Sequence, residues 1–434
     1  MSFKTGRPSV LQTLSCEQRR HSWVYGALIT LAVCGCLPLL VPVTSAASAL
    51  NFKRVQGLPR ACESSGGVQA SDGSLWTTCS QKAKSDGGLI RISSSGKVTG
   101  PFRPPVEPYN TDHVGKPTWN VADMVAGRSG SLWFTSGYGL VCNVSAAGHM
   151  DCARTPSSLK SPIETYTSAI TEGADGNMWM LEEVQAKNGG TADASIVRIT
   201  PLLQMTEFSL PKEWSMLPGL VLSSSGDLWF GRDLRHAGLE GVAYITPSGE
   251  IMSFPLAAEA VTSAVPELAL PSGPVYFVAG EGNEHLDRVM PNGSQSVVLS
   301  LHTMLDVIPG AEESAWVLAQ SQKAGLGYHY YKPGVLDRIS ASGAITSFPL
   351  SGRFELSDLQ PGPGGSLWGI AAGYTEKALR LVSIGPSGSI VTRASFGRTS
   401  GRQPVGLVAS PTSLWLFNVR NGGGMELERV TDAG

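Results

Sequence analysis

One short stretch is written eight times along this chain, and it constrains the fold more than any other feature. "SDGSLWTTCS" (71–80), "RSGSLWFTSG" (128–137), "ADGNMWMLEE" (174–183) and "SSSGDLWFGRDL" (223–234) open the series. "PSGPVYFVAG" (271–280), "AEESAWVLAQ" (311–320), "PGGSLWGIAA" (363–372) and "SPTSLWLFNV" (410–419) complete it. The aromatic anchors Trp76, Trp133, Trp179, Trp229, Tyr276, Trp316, Trp368 and Trp415 are 57, 46, 50, 47, 40, 52 and 47 residues apart. A repeat of this length decides the architecture, because each copy must bury its apolar face against the next.

The copy "PGLVLSSSGDLWFGRDLRHAGLEGVAYITPSGEIMSFPL" shows what one unit is. It holds four short apolar runs, "GLVLS", "DLWFG", "GVAYIT" and "EIMSFPL", with the turn sequences "SSSG" and "PSG" inside the first and last pairs. Alternating runs split by Gly, Ser, Pro and Asp are strands joined by hairpins. Each unit is therefore a four-stranded antiparallel sheet, its strands named a to d in chain order. Four strands per 40–50 residues is the spacing of a β-propeller blade. The expectation is an all-β propeller of eight blades, with seven as the alternative. The last copy stops after strand c, in "MELERVTDAG", while "LNFKRVQGLP" (50–59) resembles the d strands "MTEFSLP" and "ITSFPL". The segment from Leu50 should thus pair into the last blade and close the ring, leaving no open sheet edge.

Residues 1–49 read differently. Lys4, Arg7, Arg19 and Arg20 precede an apolar run that ends in Ala47-Ser48-Ala49, the pattern of an export signal cleaved before Leu50. The stretch from Trp23 to Val43 is also long enough to stay in a bilayer as an uncleaved anchor, although Pro38 and Pro42 interrupt it. Residues 50–434 then form one propeller domain, periplasmic or extracellular, or tethered by that anchor. Four cysteines follow the signal, an even number that suits disulfides in an exported chain. Cys142 and Cys152 lie symmetrically about the turn at Ala147 and should face each other across a hairpin; Cys62 and Cys79 flank the "SDG" turn about three residues out of register. A net charge of −2 and the lack of a basic run argue against nucleic acid. A monomer is expected.

In such a blade the a–b and c–d hairpins share one face of the disc. Here those turns are short. The long insertions, "SQKAKSDGG" (80–88), "EVQAKNGGTADA" (183–194), "QSQKAGLGYHYYKPG" (320–334) and "RPPVEPYNTDHVGKPTW" (103–119), all belong to the opposite face. Variable loops over a rigid scaffold are where binding groups sit, so function is expected on that face and at the channel mouth.

The units "ITEGADGNMWMLEE", "ITPSGEIMSFPL" and "GVLDRISASGAITSFPL" resemble the virginiamycin B lyase (streptogramin lyase) family along the whole chain after the signal. The resemblance implies a propeller, seven-bladed in that family, and an elimination that opens a cyclic depsipeptide ester with Mg²⁺, glutamates and a histidine base. A metal would stabilise the enolate and a neutral imidazole would take the α-proton. The family histidine falls eleven residues before the blade aromatic, where this chain has Ser65, Ala122, Ser168, Pro218, Val265, Leu305 and Ser357, and Val405 in the shorter last unit. The family glutamate falls three residues after it, and only Glu182 matches; the others are Cys79, Ser136, Arg232, Ala279, Ala319, Ala371 and Asn418.

Without that histidine, the expectation is a protein that binds a small molecule, glycan or peptide on its long-loop face. Trp119, Tyr166, Trp214, His113, His285 and His329 are the binding candidates, with Trp119, Tyr166 and Trp214 either lining a pocket or packing between blades. Asp123, Asp306 and Asp358 each stand ten residues before their blade tryptophan. They either hold Mg²⁺ or Ca²⁺ through oxygen ligands or bond local backbone amides. Two further readings stay open: a metal-dependent C–O lyase or gluconolactonase-like hydrolase, and an envelope scaffold for other proteins.

Overall fold

In the computed structural model eight four-stranded antiparallel sheets follow one another along the chain. The structure describes residues 50–432 except 60–61, 63, 65, 82–83, 104–120, 128–129, 137–138, 161–164, 186–190, 217–218, 235–240, 257–263, 280–284, 301–303, 320–321, 324–329, 332–333, 351–353, 374–377, 398–400 and 421–423. The export signal or anchor expected over 1–49 lies outside the described residues.

Eight blades are present, not seven. Their a strands touch in an unbroken circle, each meeting its two neighbours, so they line the channel and the d strands form the rim. Strand a of blade 4 is split into Trp214–Met216 and Val221–Leu222, and a small hairpin, Gln322–Lys323 with Tyr330–Tyr331, rises from the b–c insertion of blade 6. Closure occurs as expected: Leu50–Arg54 runs antiparallel to Met425–Asp432, with Leu50 opposite Asp432 and Arg54 opposite Glu428. The first strand is thereby the outer strand of the last blade.

The repeated aromatics are core. Trp76, Trp229, Tyr276 and Trp415 are fully buried, and the other four are nearly so. Each apolar cluster joins two adjacent blades, as where Trp179 and Leu181 of blade 3 meet Leu228 and Phe230 of blade 4. The phenylalanine of the "EFS" and "SFP" d strands packs on the tryptophan of its own blade, at 5.5 Å for Phe208 on Trp179 and 5.6 Å for Phe348 on Trp316. Its far edge covers the c–d turn of the next blade. A Cβ on Gly249 would lie 2.1 Å from the Phe208 ring, and φ at Gly249 is 95°. Gly388 repeats this under Phe348. Glycine is required there twice over, by backbone conformation and by the ring.

Arginines tie the seams between blades. Arg198, opposite Trp179 on strand c, stacks on that ring at 5.6 Å and donates from Nη1 to the Pro247 carbonyl of blade 4 at 3.0 Å. Arg338 does the same between Trp316 and Pro386, and Arg429 between Trp415 and Ser94, the last spanning the ring closure. One cation–π contact and one charged hydrogen bond are worth about 1–2 kcal/mol together. In a chain of this size Arg198→Met should lower Tm by roughly 1–3 °C in a circular-dichroism melt. An unchanged Tm would mean that the latch contributes no stability.

Both disulfides form. Cys142 and Cys152 are paired residues of strands c and d, 4.1 Å apart at Cα. Cys62 and Cys79 are 4.9 Å apart. No helix among the described residues is long and apolar enough to cross a membrane.

Candidate functional site

Strand a begins, b ends, c begins and d ends at the long-loop face. Six of the a strands carry an irregularity near that face. Register breaks between Thr167 and Ile170, Pro266 and Leu268, Met304 and Asp306, Ser357 and Gln360, and Pro404 and Gly406. In blade 2 the Ala122 N–H and Asp123 both address Thr135. A bulge bends the strand and re-aims its side chains. Here it recurs at the stretch where the family histidine would fall, and Ala122, Leu305 and Val405 stand within it.

The bulges bring acids to the mouth of the channel on three successive blades. Glu267 of blade 5 feels the charge of Asp306 of blade 6, which feels that of Asp358 of blade 7. Enclosure by the ring first, and Asp306 second, push the Glu267 carboxyl up to about 7, although the side chain opens to the channel. Burial raises Asp306 and Asp358 as well. Asp358 has φ of 52°, a left-handed conformation that costs a non-glycine residue about 1 kcal/mol or more.

Asp123 does other work. Its Oδ1 accepts the Met124 N–H at 2.8 Å and its Oδ2 accepts the Ile170 N–H of blade 3 at 2.9 Å. Burial still lifts its pKa against those two bonds. Of the three aspartates, then, Asp306 and Asp358 are neighbours, while Asp123 holds one blade to the next. Among the described residues no three His, Cys, Asp or Glu side chains converge as a metal site. The donor set for Mg²⁺ or Ca²⁺ is therefore incomplete among the described residues.

Glu182 lies in a seam rather than in the channel. It is 1% exposed on strand b of blade 3, Met178–Gln185, and faces blade 2. Its Oε1 accepts from the Thr155 hydroxyl, and Oε2 accepts from Ser195 Oγ at 3.4 Å. Thr155 Oγ1 also accepts the Ser158 N–H at 3.2 Å, capping the short helix Pro156–Lys160 that crosses from blade 2 to blade 3. Ser157 on that helix donates to Glu207 Oε1 at 2.7 Å. Burial first, and the Glu207 charge behind it, push Glu182 up to about 7 despite the hydroxyls of Thr155, Ser157 and Ser195. Beside this network lies a cavity of about 320 Å³ lined by Ser157, Lys160, Asp193, Ser195, Glu207 and Lys212, with Val184 and Leu210 as its apolar wall.

Arg232 holds the matching strand position in blade 4 and, like Glu182, faces the preceding blade, here the seam with blade 3. It is 6% exposed, and no described residue accepts from its Nε or Nη1. Its guanidinium stacks on the Trp214 ring at 5.0 Å. A desolvated cation–π contact returns about 2 kcal/mol. A buried charge without a partner costs several kcal/mol. Trp214 alone does not balance that cost.

The remaining candidates separate. Trp214 is 8% exposed and packs between blades 3 and 4 with Trp179, Leu181 and Leu228, the second of the two positions open to it. Tyr166 stands 42% exposed on the innermost strand of blade 3. His285 opens strand c of blade 5, His285–Val289. Its Nδ1 and the Asp287 Oδ1 are buried without hydrogen-bond partners; burial raises Asp287 and the imidazole lowers it. Trp119, His113 and His329 lie outside the described residues. Sequence reasoning missed Glu267, Glu207 and Arg232's burial. Glu267 had a signal, standing nine residues before Tyr276 rather than ten.

No family model matches the chain. No curated protein sequence matches it. Among solved structures it is similar to the Dos1 propeller, at 10% identity and a TM-score of 0.56, over 87% of this chain and 95% of that one. It is also similar to prolyl oligopeptidase B from Galerina marginata, at 11% identity and a TM-score of 0.48, over 89% of this chain and 56% of that one. The polysaccharide lyase Uly1 aligns at 12% identity and a TM-score of 0.45, over 89% and 98%. At an identity this low, what the chain shares with the Dos1 propeller is the β-propeller fold.

Proposed function

We propose that this protein is an exported β-propeller that binds a small polar molecule or glycan in the seam between blades 2 and 3, beneath its long-loop face. The observation that carries the reading is the cavity beside Glu182. Its volume falls at the small end of ligand pockets. Hydroxyls of Ser157 and Ser195, carboxylates of Asp193 and Glu207, and the ammonium groups of Lys160 and Lys212 offer acceptors, donors and both signs of charge within one cleft. A ligand rich in hydroxyls, or one carrying an amine and an acid, would meet a partner for each group. Export rests on the basic and apolar pattern of residues 1–49, and two disulfides suit an oxidising compartment.

Saturation-transfer NMR on the full chain with neutral sugars, uronic acids, amino sugars and dipeptides tests this. At least one class should receive saturation, and Ser209→Trp, which places an indole at the cavity's exposed wall, should abolish the transfer. Binding that survives Ser209→Trp, or no binding by any class, would remove the reading.

A second reading, a Mg²⁺- or Ca²⁺-dependent lyase or lactonase, rests on the acids that successive blades carry near the channel mouth, Glu267 beside Asp306 and Asp306 beside Asp358, and needs further donors to complete a cation site. Calorimetry with each ion decides it. Binding lost in an Asp306→Ala/Asp358→Ala variant supports a cation in the channel, and no heat for either ion removes it.

A further inference from the structure

We infer that Arg232 is the anchor of a separate site, one that takes an oxoanion (a carboxylate, sulfate or phosphate group) in the seam between blades 3 and 4. The residue lies near the end of its strand, Leu228–Leu234, that meets the long-loop face. The guanidinium is held flat. Trp214 covers one side at 5.0 Å, and strand c lies against the other. A Cβ on Gly241 would sit 2.8 Å from Cζ and 2.7 Å from Nη2, so the absence of a side chain at Gly241 makes room for the group. A guanidinium clamped by its faces can act only through its edges. Those edges carry paired N–H donors whose geometry matches the two oxygens of an oxoanion.

Other arginines of the ring already have their oxygens. Arg198 and Arg338 reach carbonyls of the following blade, and Arg402 and Arg420 reach Glu428 and Glu426. Arg232 is as buried as any of these, yet none of the described residues accepts from its Nε or Nη1. Burial also pushes its pKa below the usual value, as expected for a cation short of a counter-charge. An anion supplied from outside completes the arrangement. The site is independent of the cavity beside Glu182, which faces the opposite side of blade 3.

The test is calorimetric titration of the full chain with sodium sulfate, inorganic phosphate and sodium acetate, with NaCl holding ionic strength constant. At least one anion should bind saturably to a single site, and the preferred one identifies the oxoanion class. Arg232→Gln should abolish that binding. Arg232→Lys, which keeps the charge but not the planar fork, should weaken it at least tenfold, and it decides the matter if Arg232→Gln does not fold. Circular dichroism confirms the fold of each. Binding equal to wild type in Arg232→Lys overturns the proposal. So does an absence of binding by all three anions.

Discussion

Replacing Cys62 and Cys79 together by alanine is expected to cost about 3 kcal/mol, the loop-closure value for a crosslink spanning 17 residues. The position of this bond makes the loss structural as well as entropic. Leu50–Arg54 belongs to blade 8, while Cys79 stands on strand b of blade 1, Leu75–Gln81. Cys62 lies on the segment between them, and its carbonyl accepts the Met425 N–H of blade 8 at 3.1 Å. The disulfide therefore fastens the closing strand's exit to the first blade, where the ring would otherwise be held by strand pairing and side chains alone. Cys142–Cys152 closes a shorter loop inside one hairpin, so its removal leaves the ring closure untouched. Hydrogen exchange separates the two cases. Amides of Leu50–Arg54 should exchange faster in Cys62→Ala/Cys79→Ala and at the wild-type rate in Cys142→Ala/Cys152→Ala. Unchanged exchange in the first variant would show that the strand needs no staple.

The contrast between those two pairs shows what can be read along a chain and what cannot. Cys142 and Cys152 are equidistant from a turn, and hairpin counting brings them together. Cys62 is in no strand, so the same counting left its pair three residues out of register, and only the crossing between blades explains the bond. The fold itself was legible because one aromatic per blade repeats at a fixed place, and because "LNFKRV" carries the pattern of the strand missing from the last unit. The seams were not. Arg198 and Phe208 each find their second partner in the next blade, about 40–50 residues on, where no local spacing signals it. The site suffered in the same way. A bulge placed Glu267 one residue off the count that picked out Asp306 and Asp358. Glu182 was found by position, but its partners Thr155, Ser157 and Glu207 come from a crossover helix and an outer strand. Trp214 and Tyr166 looked alike as aromatic walls, and only packing distinguishes the buried ring from the exposed one.

Glu182→Gln should make the protein more stable at alkaline pH and change little under mild acid. A buried carboxyl held up to about 7 keeps its proton in the folded chain while the unfolded chain releases it near the ordinary glutamate value of 4.5. Between those two values the folded state binds one proton more than the unfolded state. Stability must then fall as pH rises, by about 1.4 kcal/mol per unit for this group. The window runs from pH 4.5 to about 7, and above it the ionised glutamate stays buried beside Glu207. Glutamine copies the protonated acid: it keeps an acceptor for the Thr155 hydroxyl and has no proton to lose. Melts of the two proteins should nearly coincide at pH 5 and diverge to a difference of about 2–3 kcal/mol in favour of the variant at pH 8. Glu267 and the channel aspartates also titrate with raised values, but they are present in both proteins and cancel in the comparison. Parallel melting curves across the range would mean that Glu182 is ionised throughout. Glu182 would then add a third carboxylate charge beside those of Asp193 and Glu207, and a cationic group, rather than a neutral polyol, would be the ligand feature that the seam selects.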